Sequence, residues 1–304
     1  MLANDAVSEK PDPVAVPESL RALLANLIDY AGLFPPAGLG MSEAAAKYAG
    51  YLAGEYAWML GRFVLPAHRL EEFTQAQSAV EVRTAWRLSC LVGADLESDL
   101  SEIQRFHGRT GAQIDCIETK AETADRVIRF MARQPAGVTV YFEVPLHCSV
   151  ELLSTIQQVG ARAKVRTGGL APEAIPSSDS VSSFLARCAF TRTPFKATAG
   201  LHHPLRCLRP LTCETNAPKA RMHGFLNVFL AAGLAYQGAA EGELTATLGI
   251  EDALCFTFEN QMIRCPRGTL STDQVRMARE HFAVSFGSCS FDEPIKDLQT
   301  LHLL

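Results

Sequence analysis

The sequence predicts an α/β protein of the (β/α)8, TIM-type barrel class, irregular at its eighth strand and C-terminus, and three observations carry that prediction. Short β-type apolar runs alternate with segments of helical period along most of the chain. The runs are apolar nearly throughout, as strands are when both faces of a parallel sheet are covered. No run is followed by the G-x-G-x-x-G turn of a doubly wound dinucleotide fold, the main rival architecture. The 304 residues suffice for a barrel, which takes about 250.

The elements are expected in the following order. Residues 1–16 are polar and proline-punctuated and read as a loose N-terminal arm, with a single barrel domain from 17 to 304. "SLRALLANLID" (19–29) has helical period, and the prolines of "DYAGLFPPAG" force a loop after it. "SEAAAKYAGYLAG" (42–54) reads as a helix with Ser42 as its N-cap. Strands are then expected at 61–67, 86–93, 112–119, 137–145, 162–169 and 193–200, with helices at 69–77, 95–108, 121–133, 149–159 and 179–189. From about 205 the pattern degrades into an irregular C-terminal extension. It holds a long irregular segment up to residue 222, a helix at 223–238, a strand–turn–strand at 255–268, a helix at 271–282 and a terminal loop at 286–294.

Composition narrows the function classes. With 33 acidic against 28 basic residues and a net charge of −5, the chain has no electrostatic footprint for nucleic acid. Its longest apolar stretch, "FLNVFLAAGLAY" (225–236), is too short to span a bilayer, and no signal peptide is evident. The nine cysteines are odd in number and contain no C-x-x-C pair, which suits reduced thiols in a cytoplasmic protein. No cofactor is expected, no metal either, and a homo-oligomer is compatible with the sequence.

The chemistry is expected at the carboxyl ends of the barrel strands. Lys164 in "AKVRTGGLAP" and Lys196 in "PFKATAGLHHP" each interrupt an apolar, β-type run, 32 residues apart. Lysine is seldom buried without a reason. If both point inward, each raises the cost of charging the other, and an amine driven toward neutrality is a nucleophile able to form a Schiff base. Arg166 shares the face of Lys164, and Thr198 that of Lys196. Two outcomes would speak instead for a barrel with a binding role only: the lysine nitrogens lying far apart, or pairing solely with carboxylates.

The two lysine strands resemble those of the deoxyribose-phosphate aldolases, where K-T-S-T-G-F is followed by V-K-A-S-G-G. Upstream, "LIDYAGLFPPA", "QIDCIE" and "VYFEVPLHCSVELL" resemble that family's I-D-H-T-L-L-x-P, E-I-D-x-V-I and I-I-E-T-x-L-L segments. The resemblance implies a metal-independent lysine Schiff-base aldolase or lyase acting on a small carbonyl compound. It assigns the nucleophile to Lys164, the electrostatic partner to Lys196 and the proton relay to Asp115, and places Asp29 and Glu143 at the substrate. Arg166 stands where the family has a small residue, and its glycine-rich phosphate turns are not recognisable, so a typical phosphosugar is not expected. Arg166, Thr167, Thr198, His202 and His203 would orient the substrate instead. On a regular strand Asp115 and Glu118 face opposite ways, which leaves open which of them looks inward. The alternative readings are a barrel isomerase or metal-assisted hydrolase using the same mouth, or a catalytically inactive barrel.

Overall fold

A computed structural model describes residues 15–80, 85–106, 111–212 and 215–304. The expected arm at 1–16 lies almost wholly outside them. In chain order the elements are α1 (Glu18–Leu24), β1 (Ile28–Tyr30), α2 (Met41–Ala53), β2 (Leu60–Pro66), α3 (Leu70–Ser78), β3 (Trp86–Leu91), α4 (Leu96–Phe106), β4 (Ala112–Lys120), α5 (Ala124–Met131), β5 (Thr139–Glu143), α6 (Val150–Gln158), β6 (Arg162–Arg166), α7 (Ser178–Thr191) and β7 (Phe195–Thr198). They continue with β8 (Cys207–Pro210), β9 (Lys219–Met222), α8 (Phe225–Tyr236), α9 (Glu241–Leu248), β10 (Thr257–Phe258), β11 (Met262–Cys265), β12 (Gly268–Ser271), α10 (Thr272–His281), β13 (Ala283–Ser288) and α11 (Asp292–Thr300).

Eight parallel strands close into a barrel in the order β1-β13-β7-β6-β5-β4-β3-β2. Its core is apolar and aromatic, with Phe63 packed against Tyr48, Phe73 and Trp86 on one side and Phe286 against Phe225 and Phe229 on the other. Helix α8 is buried along almost its whole length, which is why its run is apolar without a polar face. Among the described residues no helix is long and apolar enough to cross a membrane.

Several boundaries differ from the sequence reading. The helix expected over 19–29 ends at Leu24, and Ile28–Tyr30 form the first barrel strand; Asn26, with φ near +49°, makes the turn between them. Helix α2 begins at Met41 after Gly40, so Ser42 lies within the helix and is not its cap. The segment expected as a terminal loop, 286–294, instead holds the end of the eighth barrel strand and the start of α11; β13 sits between β1 and β7 and closes the barrel, so the region after 205 completes the barrel as well as extending it. Its alternation, "AVSFGS", carries Ser285 inward, and a polar residue there hides a strand from a reading based on apolar runs. The irregular segment after β7 folds into the antiparallel ribbon β8–β9, and the expected strand–turn–strand is the three-stranded sheet β10–β12.

Two predictions follow from the closure. Phe286 is fully buried in β13 and stacked on Phe225, so Phe286→Ala should cost about 3–5 kcal/mol in denaturant unfolding; a loss below about 1 kcal/mol would remove β13 from the core. Gly50 lies in α2 with open space around its Cα, so Gly50→Ala should stabilise by about 0.5–1 kcal/mol.

Candidate active site

The sequence places lysine at matching positions of two neighbouring strands, and the barrel brings them level: Lys164 of β6 pairs in register with Lys196 of β7, and Glu143 of β5 with Lys164. All three side chains enter the barrel near the carboxyl ends of their strands. There they meet Glu118 of β4 and Asp29 of β1. The Lys164 Nζ lies 2.8 Å from Glu118 Oε2 and 2.8 Å from Glu143 Oε2. The Lys196 Nζ lies 2.5 Å from Glu118 Oε1 and 2.7 Å from Asp29 Oδ2. Charge therefore alternates along a chain: Asp29, Lys196, Glu118, Lys164, Glu143. Glu118 is its centre, one carboxylate oxygen for each ammonium group.

The surroundings hold this chain in place. Ser89 of β3 donates to Glu118 Oε1 at 2.6 Å, and Ser285 of β13 donates to Asp29 Oδ2 at 2.8 Å. The Arg62 backbone N–H donates to Asp29 Oδ1 at 2.8 Å. A side chain at Gly61 would lie 2.3 Å from that oxygen, so glycine there makes room for the carboxylate. The Tyr141 ring lies 5.2 Å from the Lys196 ammonium and offers it a π face.

Electrostatics follow from burial and charge together. Burial alone would neutralise these groups. Opposite charges at hydrogen-bond distance win: Lys196 and Arg62 hold Asp29 below the usual carboxylate range, and the two lysines hold Glu118 far below it. Conversely, Glu118 and Glu143 raise Lys164, and Asp29 and Glu118 raise Lys196 well above an ordinary lysine. The expectation that the lysines depress one another is thus corrected, because a carboxylate stands between them. Every hydrogen-bonding partner of the two ammonium groups among the described residues is a carboxylate.

The expected site residues divide as follows. Lys164, Lys196, Glu143, Arg166, Thr198 and His202 line one cavity of about 360 Å³ at the barrel mouth, together with Glu118. Asp29 lies just beneath it in the network. Arg166 is more than half exposed at the rim, with its Nη1 4.0 Å from Glu143 Oε1. Thr167 is buried and donates to the Ala199 carbonyl at 2.7 Å, tying the loop after β6 to the loop after β7 rather than facing substrate. The same contact sets Gly168 and Gly200 back to back: a side chain on either would meet the other's Cα within 2.8 Å. His203 is turned from the mouth, with Nδ1 2.6 Å from Asp297 Oδ2.

Asp115 is corrected outright. It chelates Arg62 (2.6 Å) and is bonded by Arg87 (2.9 Å), in an ion-pair cluster that does not line the mouth. The register explains the exchange. Leu88 pairs with Ile114 but Ser89 with Cys116, so Asp115 is the extra residue of a bulge. The bulge breaks the strict alternation, and beyond it Cys116 and Glu118 face inward beside Ser89. Ser89, Ser285 and Gly61 were not legible as site residues; their signal was a small or polar residue inside an apolar strand.

A second cavity of about 460 Å³ adjoins the first and shares Glu118, Lys120, Glu143 and Lys164 with it. Its wall adds apolar Pro66 and Val92, with His68 and Arg126. No group of three or more His, Cys, Asp or Glu side chains among the described residues is arranged to hold a metal ion. No protein-family model matches the chain, and no curated protein sequence matches it significantly. Fold and site together define a (β/α)8-barrel protein with a buried lysine–carboxylate network at the carboxyl-end face.

Glu118→Gln leaves two buried lysines short of a counter-charge and should cost about 3–5 kcal/mol in denaturant unfolding at neutral pH; a change under about 1 kcal/mol would contradict the network. The pH signs are opposite at the two limbs. Depressed Asp29 and Glu118 contribute stability above their ordinary values of 3.8 and 4.5, lost as pH falls below them. Raised Lys164 and Lys196 contribute below 10.5, lost as pH climbs past it. The contribution of these four groups to the unfolding free energy should be flat between these limbs, beneath the falling slope that the raised His202 adds from 6.5 to about 10; a lysine pair neutral at pH 8 would instead add a rising slope there.

Proposed function

We propose that this chain is a lysine Schiff-base aldolase or lyase acting on a small anionic carbonyl compound, with Lys164 as the nucleophile. The observation that supports it most is the position of the Lys164 Nζ, nearly buried where two cavities meet. The resemblance of both lysine strands to those of deoxyribose-phosphate aldolases points the same way.

The charged network suits this chemistry in a specific sense. An ammonium and the iminium formed from it carry the same charge at the same nitrogen. Carboxylates that hold the first therefore also hold the second, and favour the protonated Schiff base that draws electrons from a breaking carbon–carbon bond. Glu118, kept ionised by Lys196, is the acceptor for the ammonium proton when a carbonyl arrives. Glu143 reaches the cavity and is the group placed to take a proton from a substrate hydroxyl. Glu118 assumes the relay role first expected of Asp115.

The cations around the two cavities select the substrate. Lys120 and Arg126 make no ion pair among the described residues, and Arg166 has only its 4.0 Å contact with Glu143. An anionic substituent on either side of the reacting carbonyl would find a partner there.

A binding barrel without catalysis is the second reading, favoured by the engagement of both ammonium groups by carboxylates alone. Borohydride reduction in the presence of a panel of short 2-oxo acids and hydroxyaldehydes separates the two. The aldolase reading expects a stable adduct on the Lys164 peptide, absent in Lys164→Met and forming faster as pH rises, because only the rare neutral amine attacks. Arg166→Gln should weaken binding of an acidic substrate by about 10- to 100-fold while leaving a neutral aldehyde unaffected. No adduct on Lys164 across the panel would leave the binding reading.

A further inference from the structure

The strand register sets the charged groups of the mouth in a row. Lys120 of β4 pairs with Glu143 of β5, and Glu143 pairs with Lys164 of β6. Adjacent strands lie about 4.8 Å apart, so Lys164 and Lys120 are separated by about 10 Å at the backbone, with a carboxylate between them. Arg166 follows Lys164 by two residues and lines the first cavity, its Nη1 4.0 Å from Glu143 Oε1. Lys120 lines both cavities. Arg126 of α5 lines the second, and its Nε donates to the Lys120 carbonyl at 2.6 Å, which holds the guanidinium at the end of β4. The order along the mouth is therefore guanidinium, amine, carboxylate and a pair of cations.

Charge limits what this row can take. Five lysine and arginine side chains line the two cavities: Lys120, Arg126, Lys164, Arg166 and Lys196. Glu118 and Glu143, with Asp29 beneath them, offset three of these. Two positive charges remain for a ligand, and the surplus lies at the ends of the row. The rest of the first cavity's wall is largely apolar, with Phe34, Pro35, Leu170 and Leu211. A second anion thus meets its lysine and arginine partners in the second cavity.

We propose that the substrate is a short 4-hydroxy-2-oxo dicarboxylate, cleaved between C3 and C4; this rests on the Schiff-base reading above. The acid at C1 meets Arg166, the C2 carbonyl Lys164, the C4 hydroxyl Glu143, and the distal acid Lys120 and Arg126. Groups then follow one another in the molecule as their partners do in the mouth. The Lys164 nitrogen bonds C2, and the carbonyl oxygen leaves as water with two of the three ammonium protons, giving the iminium. Glu143 takes the C4 hydroxyl proton, C4 becomes an aldehyde carbon, and the electron pair of the C3–C4 bond passes through C3 into the iminium. C3 takes that proton back from Glu143. Water adding at C2 then releases the shorter 2-oxo acid and restores the ammonium. A phosphate monoester in place of the distal acid carries about −1.5 to −2 at neutral pH, more than the row leaves open.

Three compounds test this on the purified protein. They are 4-hydroxy-2-oxoglutarate, 4-hydroxy-2-oxopentanoate (a methyl in place of the distal acid) and the neutral 4-hydroxypentan-2-one. Cleavage is followed by proton NMR, and borohydride adducts on the Lys164 peptide by mass spectrometry. The kcat/KM of the diacid should exceed that of the monoacid by about 10- to 100-fold. In the Lys120→Gln, Arg126→Gln double variant that ratio should collapse toward one, with the circular-dichroism spectrum unchanged. A ratio near one in the unaltered protein, a ratio that survives in the double variant, or faster cleavage of a 5-phospho analogue than of the diacid would each overturn the proposal. An adduct from the neutral ketone beside such a result leaves the Schiff-base reading standing. No adduct from any of the three removes that reading, and the substrate class with it.

Discussion

One carboxylate, Glu118, is shared by two lysines, and much of the site follows from it. Two ammonium groups set level on adjacent strands would repel, and burial would neutralise both. A carboxylate between them, one oxygen to each, makes the same geometry attractive. The remaining members then fall into place as end caps: Asp29 completes Lys196, and Glu143 completes Lys164. The serines on β3 and β13 donate to the carboxylates, and Gly61 leaves the volume that Asp29 occupies. A half-satisfied version of this network would cost more than an apolar core, so its members stand or fall together.

The network also sets the kind of chemistry the mouth favours. Reactive lysines are often pictured as amines kept neutral by burial or by a neighbouring cation. Here the anions outnumber the cations in the chain of five, and the ammonium form is the resting one. Such a site trades frequency of the free amine for stability of the cationic adduct. That suits a carbonyl compound delivered to Lys164 by rim cations, the substrate class proposed above.

Six of the barrel strands could be read from apolar runs, because their side chains bury on both faces, whereas β1, three residues long, was hidden at the end of a run of helical period. The eighth could not, since "AVSFGS" spends inward positions on Ser285 and on Gly287, which leaves space for Thr198. The paired lysines announced themselves by being charged where the run was apolar. Their partners did not. Asp115 and Glu118 compete for one place, and only the bulge at Asp115, a feature of the pairing with β3 and not of β4 itself, decides for Glu118. His202 and His203 look alike in sequence; the turn at Ala199 and Gly200 sends one to the mouth and the other to Asp297.

The ionisation of the two lysines can be observed directly. With lysine labelled with carbon-13 at the ε-methylene and the resonances assigned through Lys164→Arg and Lys196→Arg, the shifts can be followed from neutral pH to the alkaline limit of folding. Both Lys164 and Lys196 should remain ammonium past 10.5, the ordinary lysine value, while exposed lysines titrate around them. Either resonance moving to its neutral position below about pH 9 would mean that the carboxylates do not hold the pair, and the shared role of Glu118 would be wrong.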